Sequence, residues 1–222
     1  MPVIELLNPH QHGHLRLRPS GADIPHFVQI LVPEFMHAAV CCPILFTKDA
    51  GTGGFYAGAM FGFKPGESLM RTAAERGGFD PLMLQREGFF LSERHIAIDR
   101  EHARFSDRDG ESLFDETGQP GASLRAIQRT LGEIHTGIEQ TKSFIDALAN
   151  LKLIEPIDIS LNFGGERLTL HSLYTVSLDR LRDLDDHVVV RLFREGHLQF
   201  AYAMAGSLKH IGRLAQLRHG GG

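Results

Sequence analysis

The chain contains no tryptophan, and its only two cysteines stand side by side at Cys41-Cys42. Vicinal cysteines seldom bridge each other, so they make a poor disulfide framework and the pair reads as reduced and buried. The pair also lacks the two-residue spacer of a redox motif and a basic neighbour in sequence to depress a thiol pKa. A basic balance is missing too. The 23 Lys and Arg are outnumbered by 27 Asp and Glu, giving a formal net charge of −4. No global positive field exists to hold a polyanion, which argues against nucleic acid as a partner. Long hydrophobic runs are absent. The longest uncharged apolar-rich stretch, Phe35 to Phe46, includes His37 and Pro43 and is too short to span a bilayer. No positively charged, apolar leader with a cleavage site opens the chain. The expectation is a soluble, cytoplasmic protein.

What is present is enough for a core. With 222 residues, 42% of them apolar, the chain is expected to form a compact α+β domain over 21–219. Residues 1–20 are expected as an extended arm, and 220–222 as a flexible tail. Leu15 and Leu17 alternate with Arg16 and Arg18, the period of a half-buried strand. From Ile24 to Ala39 apolar residues recur at helical spacing, with Pro33 dividing a turn from a short helix. Ile44–Phe46 and Phe55–Phe63 form a hairpin around the turn residues 49–54. A short helix is expected at Leu82–Arg86 and a strand at His95–Asp99.

The stretch Glu111–Pro120 is a junction, with Leu113 and Phe114 as an apolar anchor and Gly118 and Pro120 as breakers. Behind it, Leu124, Ile127, Leu131, Ile134, Ile138, Phe144, Ile145 and Leu148 predict a long amphipathic helix capped by Ser123. Ile157–Phe163 and Arg167–Leu173 predict a second hairpin, turning at Gly164-Gly165. Helices follow from Ser177 to Leu184 and from Asp185 to Glu195, and Gly196 stops the second. A last helix runs from Leu198. The architecture is therefore an antiparallel sheet packed by a long central helix and C-terminal helices.

Several segments in this order resemble the SapC family over nearly the whole chain. They begin with Leu7-Asn8, His12-x-x-Leu15-Arg16, Pro33-Glu34-Phe35 and Pro43-Ile-Leu-Phe46-x-Lys48. Gly62-x-x-x-Gly66-Glu67-x-Leu69 and Leu113-Phe-Asp-Glu-x-Gly-x-Pro120 follow. The last are Leu173-Tyr174-x-Val176, Leu181-x-x-Leu184, Gly196-x-Leu198, Ser207-Leu208 and Leu214. Four departures stand out. Ser68 replaces an Asn, and the Trp that follows it in the family is missing. Gln85-Arg86-Glu87-Gly88-Phe89 stands for an Arg-Arg-Tyr-Pro-Phe type segment, and Ser172-Leu173-Tyr174 for a Gly-Leu-Tyr. The resemblance implies an association with bacterial surface layers and with flavin halogenase-like neighbours. It carries over no catalytic residue set.

Side-chain constellations give the chemical candidates. On a strand, His10, His12 and His14 would share a face and converge on one metal; otherwise they belong to a solvated arm. Glu34 and His37 stand one helical turn apart, and with His12 they make a candidate triad for iron, zinc or another divalent transition metal. Asp107–Glu111 lacks calcium-loop spacing and reads as a turn. Ser207 precedes His210 by three residues without a nucleophile elbow, so it reads as a packing residue. Tyr174, Tyr202 and Ser207 are the candidate ligand-binding residues, with His171 beside Tyr174.

The leading expectation is a non-catalytic binding or accessory protein without a cofactor. It would act with a protein partner or a small ligand through a groove beside the sheet, and homo-oligomerisation stays open. The alternatives are a His/carboxylate metalloenzyme of oxygenase type centred on His12, Glu34 and His37, or a surface-layer component.

Overall fold

The computed structural model describes residues 3–20, 24–72, 74–93, 95–163 and 166–220. In chain order the strands are β1 (Ile4–Leu6), β2 (Arg16–Leu17), β3 (Phe27–Gln29), β4 (Ile44–Lys48), β5 (Phe55–Met60), β6 (Phe89–Ser92), β7 (His95–Asp99), β8 (Phe105–Ser106), β9 (Glu111–Ser112), β10 (Ile154–Phe163) and β11 (Glu166–Val176). The helices are α1 (Pro9–His12), α2 (Phe35–Ala38), α3 (Leu82–Gln85), α4 (Ala122–Asn150), α5 (Leu178–Arg182), α6 (Asp186–Arg194), α7 (His197–Ser207) and α8 (His210–Gly220). Antiparallel sheets with a long central helix and C-terminal helices make this an α+β protein, as the patterning predicts. No helix among the described residues is long and apolar enough to cross a membrane.

Two compact units divide the chain. The first comprises Met1–Ala22 and Leu82–Thr136. Its sheets run β1-β7-β6 and β8-β2-β9, so the opening residues are paired strands and not only an arm. The histidine run forms no strand. The Asn8 side chain accepts the His10 N–H at 2.8 Å, and Pro9 sits at the first helical position. That start signal folds residues 9–12 into a helical turn. Leu15, Leu17, Phe89, Ile98, Phe105, Leu113 and Phe114 are buried against Leu124, Ile127 and Leu131 of α4. The junction is a tight turn in which the Asp115 carboxylate accepts the Thr117 and Gln119 N–H groups.

The second unit comprises Asp23–Pro81 and Gly137–Gly222. Its sheet has the order β10-β11-β4-β5-β3, all antiparallel. The expected helix at 24–39 is in part a strand, β3, followed by a 3-10 turn at Val32–Glu34 and then α2. Phe35, Phe46, Phe144 and Phe200 pack ring against ring at 5.8 to 6.2 Å, the geometry aromatic quadrupoles prefer.

Helix α4 begins at Ala122, one residue ahead of the expected cap, and the Ser123 hydroxyl donates to the Ser112 carbonyl. Most of its apolar stripe is buried, but Ile138 is exposed, and Thr141 occupies a buried position. The helix ends in a Schellman turn. Leu153 N–H bonds the Leu148 carbonyl, Lys152 N–H bonds the Ala149 carbonyl, and Lys152 takes the left-handed conformation at φ 55°. The hairpin β10–β11 forms as expected; its two-glycine turn and the last two glycines of the tail lie outside the described residues. Residues 208–209 divide the last predicted helix into α7 and α8.

Candidate functional site

Register decides which side chains share a face of the second unit's sheet. Ile44↔Ala59, Phe46↔Ala57 and Lys48↔Phe55 lie on one face, with Phe46 in the aromatic core. Leu45↔Gly58 and Thr47↔Tyr56 lie on the other. On that second face the Phe27 ring rests on Gly58, where a Cβ would fall 2.1 Å from the ring, and its edge meets Tyr56. Gly58 is therefore required by close approach.

Strand β11 joins β4 through the single pair Tyr174↔Phe46. Just before it, the β10–β11 register passes from Ile157↔Leu173 to Ile159↔Leu170, so His171 and Ser172 together oppose Asp158. This is a β-bulge, which bends and twists the strand that carries it. Ser172 has φ 62°, a left-handed backbone that glycine adopts freely and a serine does not. The Thr47 hydroxyl donates to the Ser172 carbonyl at 3.0 Å and ties the bulge to β4. On the far side of the bulge β11 stays paired with β10 but no longer with β4, and a cleft of about 400 Å³ lies there.

Thr47, Tyr56 and Phe27 line the cleft from the sheet, Thr169, Leu170, His171 and Leu173 from β11, and His26, Gly62 and Phe63 from the segments flanking the sheet. Burial lowers the His26 pKa against the opposing effect of Glu67, which keeps its imidazole neutral near pH 7. The Glu67 carboxylate accepts the Phe63 N–H at 2.7 Å and pairs with Arg218 at 3.1 Å, while the Arg218 guanidinium stacks on Phe163. A Cβ on Gly62 would meet the Glu67 carbonyl oxygen at 2.3 Å, so this wall too is closely packed. Chemically, the cleft offers an apolar floor with hydroxyls and imidazoles around it, suited to a small organic molecule with a few polar groups.

The sequence-predicted ligand residues lie elsewhere. Tyr174 shares the Phe46 face, its ring 5.0 Å from Phe55 and 5.4 Å from the Lys48 ammonium. Tyr202 is 57% exposed on α7. Ser207 is fully buried; its hydroxyl accepts the Ile44 N–H at 2.8 Å and donates to the Met204 carbonyl at 2.6 Å. The Thr141 hydroxyl does the same between the Val32 N–H and the Gly137 carbonyl. Each hydroxyl supplies an acceptor to a buried main-chain donor from another element.

His12, Glu34 and His37 are not gathered on one element either. His12 belongs to the first unit, Glu34 and His37 to the second. The buried His12 ring accepts the Asn8 N–H at Nδ1, 2.9 Å, and faces Glu5 from Nε2 at 3.1 Å, so both nitrogens are engaged. A Glu34 carboxylate oxygen accepts the Leu31 N–H at 2.8 Å, closing its own turn, while His37 is exposed. Among the described residues no three His, Cys, Asp or Glu side chains form a group able to hold a metal ion.

Cys41 and Cys42 are free and buried, with their sulfurs 3.7 Å apart. The hydrogen bond between them lowers the Cys41 pKa, with help from Arg213 and Arg76, and raises that of Cys42. Those arginines are distant in sequence, so the fold supplies the basic neighbours that the local sequence lacks.

Sequence patterning leaves the cleft itself unmarked, because His26, Thr47, Tyr56 and His171 meet only through cross-strand register. The one local sign is Ser172, which stands in the sequence where the resemblance implies a glycine. No curated protein and no solved structure matches the chain. A SapC family profile does match, over residues 7–214, a span that takes in the bulge and every wall of the cleft; the chain belongs to the SapC family.

Proposed function

We propose that the protein is a non-catalytic binding or accessory protein that takes a small organic ligand in the cleft beside the bulge of β11. The observation that carries this reading is the left-handed Ser172 inside a strand, at the edge of the cleft. Such a conformation costs about 1–2 kcal/mol in an L-residue and persists where the surrounding structure enforces it. Bulges of this kind re-aim side chains beside binding sites. Phe27 and Leu173 supply apolar contact, and the neutral His26 and the Thr47 hydroxyl supply directional hydrogen bonds.

Saturation-transfer NMR with a panel of neutral and anionic aromatic fragments tests the proposal, using the parent and a Thr169→Arg variant. Thr169 is half-buried at the cleft wall, and an arginine there projects into the open space. The expected result is a subset of fragments whose transfer signal is lost in a variant that unfolds at the parent's midpoint. Signals that persist in that folded variant, or no binding by any fragment, would overturn the proposal.

A further inference from the structure

A second cleft lies in the same unit where α6 gives way to α7. Gly196, at φ 77°, reverses the chain between Glu195 and His197, and the cleft of about 450 Å³ is completed by Glu139, Gln140 and Ser143 of α4. His197 is 7% exposed and its ring lies 5.7 Å from that of Phe144. Its Nδ1 is buried with no hydrogen-bond partner, and its Nε2 stands 3.6 Å from a Glu195 carboxylate oxygen, beyond an ordinary N–H···O bond. A buried imidazole nitrogen without a partner is costly and uncommon. Burial also lowers its pKa, with Glu195 opposing, so the ring is neutral near pH 7 and presents an acceptor.

We infer that this cleft is a separate site for a small organic cation, a primary amine or a guanidinium. The residues lining it include two carboxylates, Glu139 and Glu195, and no lysine or arginine. An amine placed beside the Glu195 carboxylate and the His197 Nε2 would donate to both, while Glu139 balances its charge and Phe200 offers a ring face. The start of α7 favours a negative charge, and the Glu195 carboxylate stands beside it, 3.6 Å from the His197 ring. An anionic ligand would therefore meet two carboxylates without a compensating cation.

The test is a titration of the ¹⁵N-labelled protein with agmatine, 1-butylamine and butyrate at millimolar concentrations, following backbone amide shifts. Agmatine and butylamine should move the Gly196, His197 and Gln140 resonances, and butyrate should not. Glu139→Gln and Glu195→Gln alter exposed side chains and should each weaken agmatine roughly fivefold. Thr169→Arg, at the other cleft, should leave agmatine binding unchanged, which separates this site from the one proposed above. Butyrate binding as well as the amines, absence of shifts at these three residues, or full affinity in both glutamine variants would each overturn the inference.

Discussion

Ser172→Gly isolates the strain at the bulge. The Ser172 side chain is exposed, while its backbone sits at φ 62°. An L-residue in the left-handed region costs about 1–2 kcal/mol, which glycine avoids. Glycine gives back roughly 0.5–1 kcal/mol through its greater freedom in the unfolded chain. The net gain should therefore be about 0.5–1 kcal/mol, or about 1–4 °C in Tm for a chain of this size. Urea unfolding followed by circular dichroism reads it directly, provided the m-value is unchanged. Lys152→Gly is the matched comparison, because Lys152 has φ 55° in the helix-ending turn, away from the cleft, and should gain by a similar amount. Ser172→Val should lose stability, since a β-branched residue fits this region worst. A destabilised or unchanged Ser172→Gly, beside a stabilised Lys152→Gly, would refute the reasoning.

Three further outcomes follow from the packing. Ser207→Ala removes the acceptor of the buried Ile44 N–H and should cost about 1–3 kcal/mol by urea unfolding, with Thr141→Val costing a similar amount through Val32; a loss below roughly 0.5 kcal/mol would mean these donors find other partners. Gly132→Ala adds a Cβ to open space inside α4 and should stabilise by about 0.5–1 kcal/mol, as read by calorimetry. Gly137→Ala in the same helix should show no such gain, because its Cβ would stand 2.9 Å from a Leu31 methyl and 3.2 Å from the Leu31 Cβ. Burial lowers the pKa of His26, His197 and His210 below the ordinary histidine value of 6.5, so the unfolded chain takes up these protons first. Their contribution is complete above about pH 6.5 and declines as pH falls through the lowered values, so the urea midpoint should drop between about pH 7.5 and pH 5. A midpoint that stays level or rises on acidification would contradict this.

Local pattern dictates much of the architecture. Helix α4 is legible because Leu124, Ile127, Leu131, Phe144 and Leu148 repeat at helical spacing over many turns, and the β4–β5 hairpin because Asp49 to Gly54 are turn residues between alternating strands. Where two local signals compete, reading fails. The alternation of His10, His12 and His14 suggests a strand, but Asn8 and Pro9 start a helix there. Phe27, at helical spacing from Ile30 and Leu31, is drawn into β3 by pairing with Met60. Neither cleft is legible. The first requires the β4–β5 register and the displacement at Ser172, and the second requires α4 to meet the Glu195–His197 turn. A conformation at one residue, or an approach between helices distant in sequence, leaves no periodic trace.

The pairing of Phe46 with Tyr174 also has a meaning in time. The β4–β5 hairpin is complete once Met60 has been synthesised, yet the edge of β4 waits for Tyr174, roughly 115 residues further on. At ordinary translation speeds that interval lasts about 6–23 s, long beside the microseconds in which a hairpin closes. Throughout it, the apolar edge carrying Ile44, Leu45 and Phe46 is open to any other extended chain. The nascent protein therefore passes through a period when an apolar strand is built and its protecting neighbour is not.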